Sequence, residues 1–216
     1  MRLKGMICDL DGTLLDTLPV CYLSFRAVFR RYLNRDYSDR EIDQLFGPSE
    51  EGIFKRLVPD KWEDCLATYL ATYDKVHPEY AQPFPGIAEA LDLLQKRRVK
   101  LAIVSGKGPR SMELSLKHSG LAQYFEVVET GSEQGPVKPL RIKKVLEIWG
   151  CDPSEVAYLG DTPQDMKDSH EVGTISLAAA WSGTARTEGI SDTEAVATFA
   201  QVKDFRRWIE ENVEFT

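Results

Sequence analysis

Apolar and polar residues follow two different rhythms along this chain, and the point where one gives way to the other divides it. Met6, Ile7 and Cys8 form a short apolar run ending at Asp9, which predicts a buried strand. Beyond it, Leu18, Cys21, Tyr22, Phe25, Val28, Phe29 and Tyr32 recur at three- and four-residue steps, predicting a helix with one stripe against a core. Ser38 with Glu41 reads as a capping box opening "REIDQLF", and Asp60 with Glu63 as a second one opening "KWEDCLATYLATYD". A further short helix fits "EEGIFKRLV". No strand pattern occurs from about Thr17 to Gln82, so this stretch is expected to be an all-helical unit, closed by the stiff "QPFPG" of residues 82–86.

After that the pattern changes. "IAEALDLLQKRR", "RSMELSLKHSG", "LRIKKVLEIWG", "QDMKDSHEV" and "VKDFRRWIEENV" read as helices, with Gly120 and Gly150 stopping two of them. Between them, "VKLAIV", "FEVV", "VAYL" and "TISLAA" read as strands. Alternation of this kind implies crossover connections and a parallel sheet covered on both faces. The expected fold class is α/β, a doubly wound, Rossmann-like and mostly parallel sheet built from residues 1–16 and 83–216, with an all-helical domain inserted at 17–82.

Composition narrows the function classes. At 216 residues and 43% hydrophobic, the chain can bury a large core and a smaller insert. A formal net charge of −7 argues against a nucleic-acid scaffold or an anionic membrane surface as partner, since both call for a basic face. No apolar run approaches the roughly 20 residues of a spanning helix, and "MRLKGMICDL" is too short and too quickly acidic for a signal peptide, so a cytoplasmic protein is expected. Cys8, Cys21, Cys65 and Cys151 are scattered, with no C-x-x-C pair, and read as reduced, mostly buried thiols.

The polar residues with chemical potential fall where strands end. Asp9 and Asp11 follow the first strand, Ser105 and Gly106 follow "LAIV", and Asp161 follows "VAYL", with Asp165 close behind. In open parallel sheets ligands gather at the carboxyl ends of the strands. Four carboxylates brought to one edge repel one another and call for a cation. Hard oxygen donors without histidine suit Mg2+, and a bound cation leaves a place for an anionic substrate oxygen, of which phosphate is the natural candidate. A plain Asp-Gly turn needs no ligand at all. An EF-hand is excluded because counting from Asp9 puts Leu14 and Val20 where glycine and glutamate belong, and no Walker phosphate loop occurs.

These residues carry a resemblance. "DLDGTLLD", "AIVSG", Lys138 in "VKP" and "GDTPQD" stand in the order of the four motifs of the haloacid dehalogenase superfamily, and the chain resembles its phosphoglycolate phosphatase-like members with a helical C1-type cap. The resemblance implies a magnesium-dependent phosphatase acting on a small phosphorylated metabolite. Asp9 would be the nucleophile that forms an aspartyl phosphate, and Asp11 the acid that protonates the leaving oxygen and later activates water. Elementary chemistry agrees, since one carboxylate can act covalently while a second serves as acid and base. By the same resemblance Asp9 and Asp161 bind Mg2+ by side chain and Asp11 by its backbone carbonyl, with Asp165 supporting the site. Ser105, Gly106 and Lys138 would hold the phosphoryl oxygens, with Lys107, Arg110 and Lys143 as competitors for the role of Lys138. Phe46, Gly47, Pro48 and Ser49, a break between two cap helices, are the candidates for substrate specificity.

Asp11 disfavours carbon–halogen cleavage, since a departing halide needs no acid. The phosphonate-cleaving branch depends on a cap lysine, and none of Lys55, Lys61 and Lys75 sits in a matching context. A sugar-phosphate mutase of the same superfamily stays open, as does a non-catalytic phosphate-binding or phosphorylation-sensing protein. Departures from the phosphatase pattern, "KPL", Thr162 and "AWSG", bear on the substrate and not on the reaction. The expected partner is a small phosphorylated substrate, with no nucleic acid and no membrane, and the chain is expected to be a monomer or homodimer. His77, His118 and His170 match no motif, and Cys8 should turn away from Asp9 into the core.

Overall fold

The first apolar run forms strand β1 (Gly5–Cys8), buried along its whole length. In the computed structural model, which describes residues 2–183, 189 and 195–214, β1 lies between β2 (Lys100–Val104) and β4 (Val156–Gly160), parallel to both. The sheet extends through β3 (Val127–Glu129) beside β2, and through β5 (Ile175–Ala179) and β6 (Ala197–Phe199) beyond β4. Its order is β3-β2-β1-β4-β5-β6, with every pairing parallel. The direction in which strands are added therefore reverses at β1 and β4, and a sheet of this kind opens a crevice at the carboxyl ends of those strands.

Period-two alternation sorts β1 between two cores. Met6 and Cys8 pack with Ile87 and Leu91 of α5 (Ile87–Lys96) and with Phe205 and Ile209 of α9 (Val202–Asn212). Ile7 faces the other way, onto Ile142, Val145 and Trp149 of α7 (Lys138–Trp149). Each such side chain contributes roughly 1.5–3 kcal/mol by leaving water.

Between β1 and α5 the chain forms α1 (Leu18–Leu33), α2 (Asp39–Asp43), α3 (Glu50–Leu57) and α4 (Trp62–Tyr80), with no strand among them. They enclose their own apolar cluster, centred on Phe25, whose ring lies 4.8 Å from Tyr69, 5.5 Å from Phe54 and 5.9 Å from Phe46. Two further helices flank the strand ends, α6 (Pro109–Ser119) after β2 and α8 (Pro163–Val172) after β4.

The Ser38–Glu41 capping box forms, with both reciprocal hydrogen bonds made. The Asp60–Glu63 box does not: Pro59 draws Asp60 into a 3-10 turn, Pro59–Lys61, and α4 starts after Lys61 without a side-chain cap. Helix α4 also runs past Asp74 to Tyr80 despite Pro78, because Tyr73 and His77 bury their rings completely and hold its last turns in place. Strand β6 has no strand pattern in the sequence to predict it. It is three residues long, too short for an alternation to show, and exists by pairing with β5. No described helix is long and apolar enough to cross a membrane.

Candidate active site

The loop after β1 is wound around one acceptor: the carbonyl of Leu10 takes the backbone N–H groups of Thr13, Leu14 and Leu15. Gly12 turns the chain at φ +80°, and a Cβ there would lie 2.5 Å from Asp161 Oδ2. Only glycine combines that backbone with that approach. Trp181 Nε1 donates to the Thr13 carbonyl at 3.0 Å and ties the far side of the loop down.

This winding separates the first two aspartates. Asp9 is buried; its Oδ1 accepts from the Leu10 N–H at 2.7 Å and its Oδ2 from Lys138 Nζ at 2.7 Å. Asp11 turns the other way, accepting from Thr17 Oγ1 and from Lys107 Nζ at 3.3 and 3.4 Å. Two carboxylates one residue apart thus face different cations.

Asp161, at the end of β4, accepts from Thr13 Oγ1 at 3.0 Å. Asp165 sits in the first turn of α8, where it forms a capping box with Thr162. It also accepts from Lys138 Nζ and, at 3.3 Å, from the Tyr158 hydroxyl. Helix capping and site membership therefore fall on one residue. Lys138 opens α7 and reaches both Asp9 and Asp165. Burial lowers its pKa, but Asp165 and Asp9 outweigh burial and hold the ammonium well above the ordinary lysine value.

Asp9, Asp161 and Asp165 offer oxygens all within 4.8 Å of one another. Burial first, then the neighbouring carboxylates, push Asp161 well above the usual carboxylate range; burial raises Asp9 as well, against the pull of Lys138. Three buried oxygen donors whose charges oppose one another fit a hard divalent cation.

Ser105 is buried just beyond β2, and its Oγ accepts from the Lys107 N–H at 3.4 Å. Gly106 follows it and is exposed. A cavity of 610 Å3 joins these groups; Asp9, Asp11, Ser105, Gly106, Lys138, Asp161 and Asp165 all line it. Phe46, Gly47 and Pro48 line it from the helical insert. Ser49 does not; it is buried, and its N–H donates to the Ser132 carbonyl at 2.8 Å, joining insert to sheet. Arg110 and Lys143 are exposed and take no part in the lining.

Two residues at the site carry no strong local signal. Lys107, read only as a competitor for Lys138, pairs with Asp11 and places its ammonium 4.3 Å from the centre of the Tyr73 ring and 4.0 Å from Glu50 Oε1. Glu50, in the first turn of α3, accepts from the Gly108 N–H and from Ser111 Oγ, both at 2.6 Å. It thereby caps α6 from across the cavity. An acid opening a helix is ordinarily read as serving its own helix.

A family model for haloacid dehalogenase-like hydrolases matches residues 6–179. The chain belongs to this family. Pyrophosphatase PpaX of Bacillus mycoides is 29% identical over 183 residues, which cover 84% of this chain and 85% of that one. Among solved structures, a predicted phosphoglycolate phosphatase from Haemophilus somnus superposes with a TM-score of 0.81 at 18% identity, covering 96% of this chain and 98% of that one. CbbY from Rhodobacter sphaeroides, in complex with phosphate, gives 0.78 at 15% identity over 94% and 96%. These structural likenesses carry the haloacid dehalogenase fold.

Proposed function

We propose that this haloacid dehalogenase-like hydrolase is a magnesium-dependent phosphatase that cleaves small phosphate monoesters through an aspartyl phosphate on Asp9, with a phosphoglycolate phosphatase-like layout. The observation that carries the reading is the division of labour between Asp9, held against Lys138, and Asp11, held against Thr17 and Lys107. Asp9 is buried within the acidic cluster and Asp11 stands apart from it, so that one can act as nucleophile and the other as acid.

In the first step an Asp9 carboxylate oxygen bonds to phosphorus while the bond from phosphorus to the leaving oxygen breaks, and Asp11 gives that oxygen a proton. In the second, Asp11 takes a proton from water as the water oxygen bonds to phosphorus, and the bond between Asp9 and phosphorus breaks. Inorganic phosphate leaves, Asp9 is again a carboxylate and Asp11 again carries the proton that the next turnover needs. Ser105 and the Gly106 N–H are assigned to the phosphoryl oxygens, and Lys138 to the charge that builds on them. Asp9, Asp161 and the Asp11 carbonyl would hold Mg2+, with Asp165 in support, and the ion would supply positive charge beside the phosphoryl group. The helices of residues 17–82 serve as the cap that excludes water.

The relatives named as phosphatases support this assignment. It is tested by phosphate release from a panel of small phosphoesters with Mg2+ and with EDTA. Release that requires Mg2+ and disappears in Asp9→Asn is expected; release unaffected by either change would overturn the assignment.

A further inference from the structure

The wall that the insert presents to the cavity differs in character from the sheet's edge. Leu18, Phe25, Phe46, Pro48, Ile53 and Tyr69 form most of it. The aromatic members pack against one another at tilted angles, with the Phe25 ring 4.8 Å from Tyr69 and 5.9 Å from Phe46. Its charged members are Asp43 and Glu50, and the insert places no lysine, arginine or histidine in the lining. Among the described residues the cations of the whole cavity are Lys107 and Lys138. Both are already engaged, Lys138 by Asp9 and Asp165 and Lys107 by Asp11, Tyr73 and Glu50.

Resting on the phosphatase reading above, we infer that the preferred substrates are phosphate monoesters whose leaving group has an apolar or aromatic body and no second anionic group. A carboxylate or second phosphate on the leaving group would be buried against apolar side chains and two carboxylates, where the insert supplies no cation to offset its desolvation. An uncharged ring or hydrocarbon gains instead by displacing water from Phe46 and Pro48, the half-buried members of that wall, with the buried Phe25 behind Phe46. Volume points the same way. The cavity of 610 Å3 falls in the roughly 300–1,000 Å3 range of pockets that enclose drug-sized ligands, and a two-carbon acid would leave most of it to water. Phosphoglycolate and pyrophosphate have no apolar body to occupy that wall and are therefore expected to be poor substrates.

The experiment compares para-carbamoylphenyl phosphate with para-carboxyphenyl phosphate, equal in size and different in charge, beside phosphoglycolate and pyrophosphate, all with Mg2+. The carbamoyl ester should show a kcat/KM about tenfold or more above the carboxylated one. It should also exceed both phosphoglycolate and pyrophosphate. Phe46→Lys, which puts a cation into the wall, should narrow the gap between the two aryl esters. Equal or faster turnover of the carboxylated ester, of phosphoglycolate or of pyrophosphate would overturn the inference while leaving the phosphatase intact. If no compound is turned over, calorimetric binding of the two aryl esters to the same protein decides the point. Tighter binding of the carbamoyl ester would uphold the wall's preference and overturn only the catalytic assignment; equal or tighter binding of the carboxylated ester would overturn the preference as well.

Discussion

Glu50, on the inserted helical unit, accepts a 2.6 Å hydrogen bond from the backbone N–H of Gly108, on the sheet side of the cavity. A Cβ on residue 108 would lie 2.3 Å from that same carboxylate oxygen, so the contact requires glycine there. The second oxygen takes the Ser111 hydroxyl, and the two bonds fasten insert to sheet beside Asp11 and Lys107.

Glu50→Ala should therefore loosen this junction. It strips acceptors from a buried N–H and a buried hydroxyl, at a cost of about 1–3 kcal/mol in unfolding free energy. Denaturant unfolding of the variant checks this, and Glu50→Gln, which keeps one acceptor, should fall between it and the native chain.

Lys138 stands between two buried carboxylates, so its removal takes the shared ammonium from both. Lys138→Met should destabilise the protein by about 3–5 kcal/mol and abolish phosphate release. Lys138→Arg keeps the charge but replaces a point donor by a planar fork, and should retain most of the stability while losing most of the activity. Thermal unfolding and turnover, measured on both variants, separate the two effects.

Gly12→Ala meets two obstacles, the positive φ and the 2.5 Å approach to Asp161. The expected outcome is a loss of about 1–3 kcal/mol together with weakened Mg2+ binding, since the loop must move away from Asp161. Calorimetric titration with Mg2+ reads the second effect directly.

His77 is wholly buried, packed 5.3 Å from the Tyr73 ring and stacked at 4.9 Å on His118, which itself bonds Asp74 at 2.7 Å. Burial first, then the positive charge of His118 and Lys107, lowers its pKa to about 4. An unfolded histidine titrates near 6.5, so between those two values the unfolded chain binds more protons than the folded one. This contribution to stability is complete above the upper value and is lost as pH falls toward the lower one. Unfolding free energy should drop by about 1–3 kcal/mol more in the native chain than in His77→Leu across this window.

What could be read in advance depended on how local the physics was. Asp9, Ser105, Asp161 and Asp165 each follow a strand closely, so strand prediction and the rule for open sheets together bring them to one edge. Ser38 and Glu41 cap across three residues, and that too is written locally. The bond from Glu50 to Gly108 spans 58 residues and the pairing of Lys107 with Asp11 spans 96, and no periodicity records contacts of that kind. Lys138 sits before a proline, a context that ordinarily means a solvated lysine; the order of the four motifs, not its local surroundings, singles it out, and in the structure it opens α7 and reaches Asp9. The failure at Asp60 has a local cause, since Pro59 imposes a tighter turn before the helix can start.

The covalent step through Asp9 is the central claim, and trapping it is the most direct test. A substrate with a good leaving group, such as para-nitrophenyl phosphate, needs no proton to depart, so Asp11→Asn should still form the aspartyl phosphate but should fail to hydrolyse it. Intact-protein and peptide mass spectrometry of Asp11→Asn, quenched in acid after incubation with that substrate and Mg2+, should find one phosphoryl group, carried on Asp9. Continued turnover with no phosphoryl adduct, or an adduct on another residue, would contradict the account.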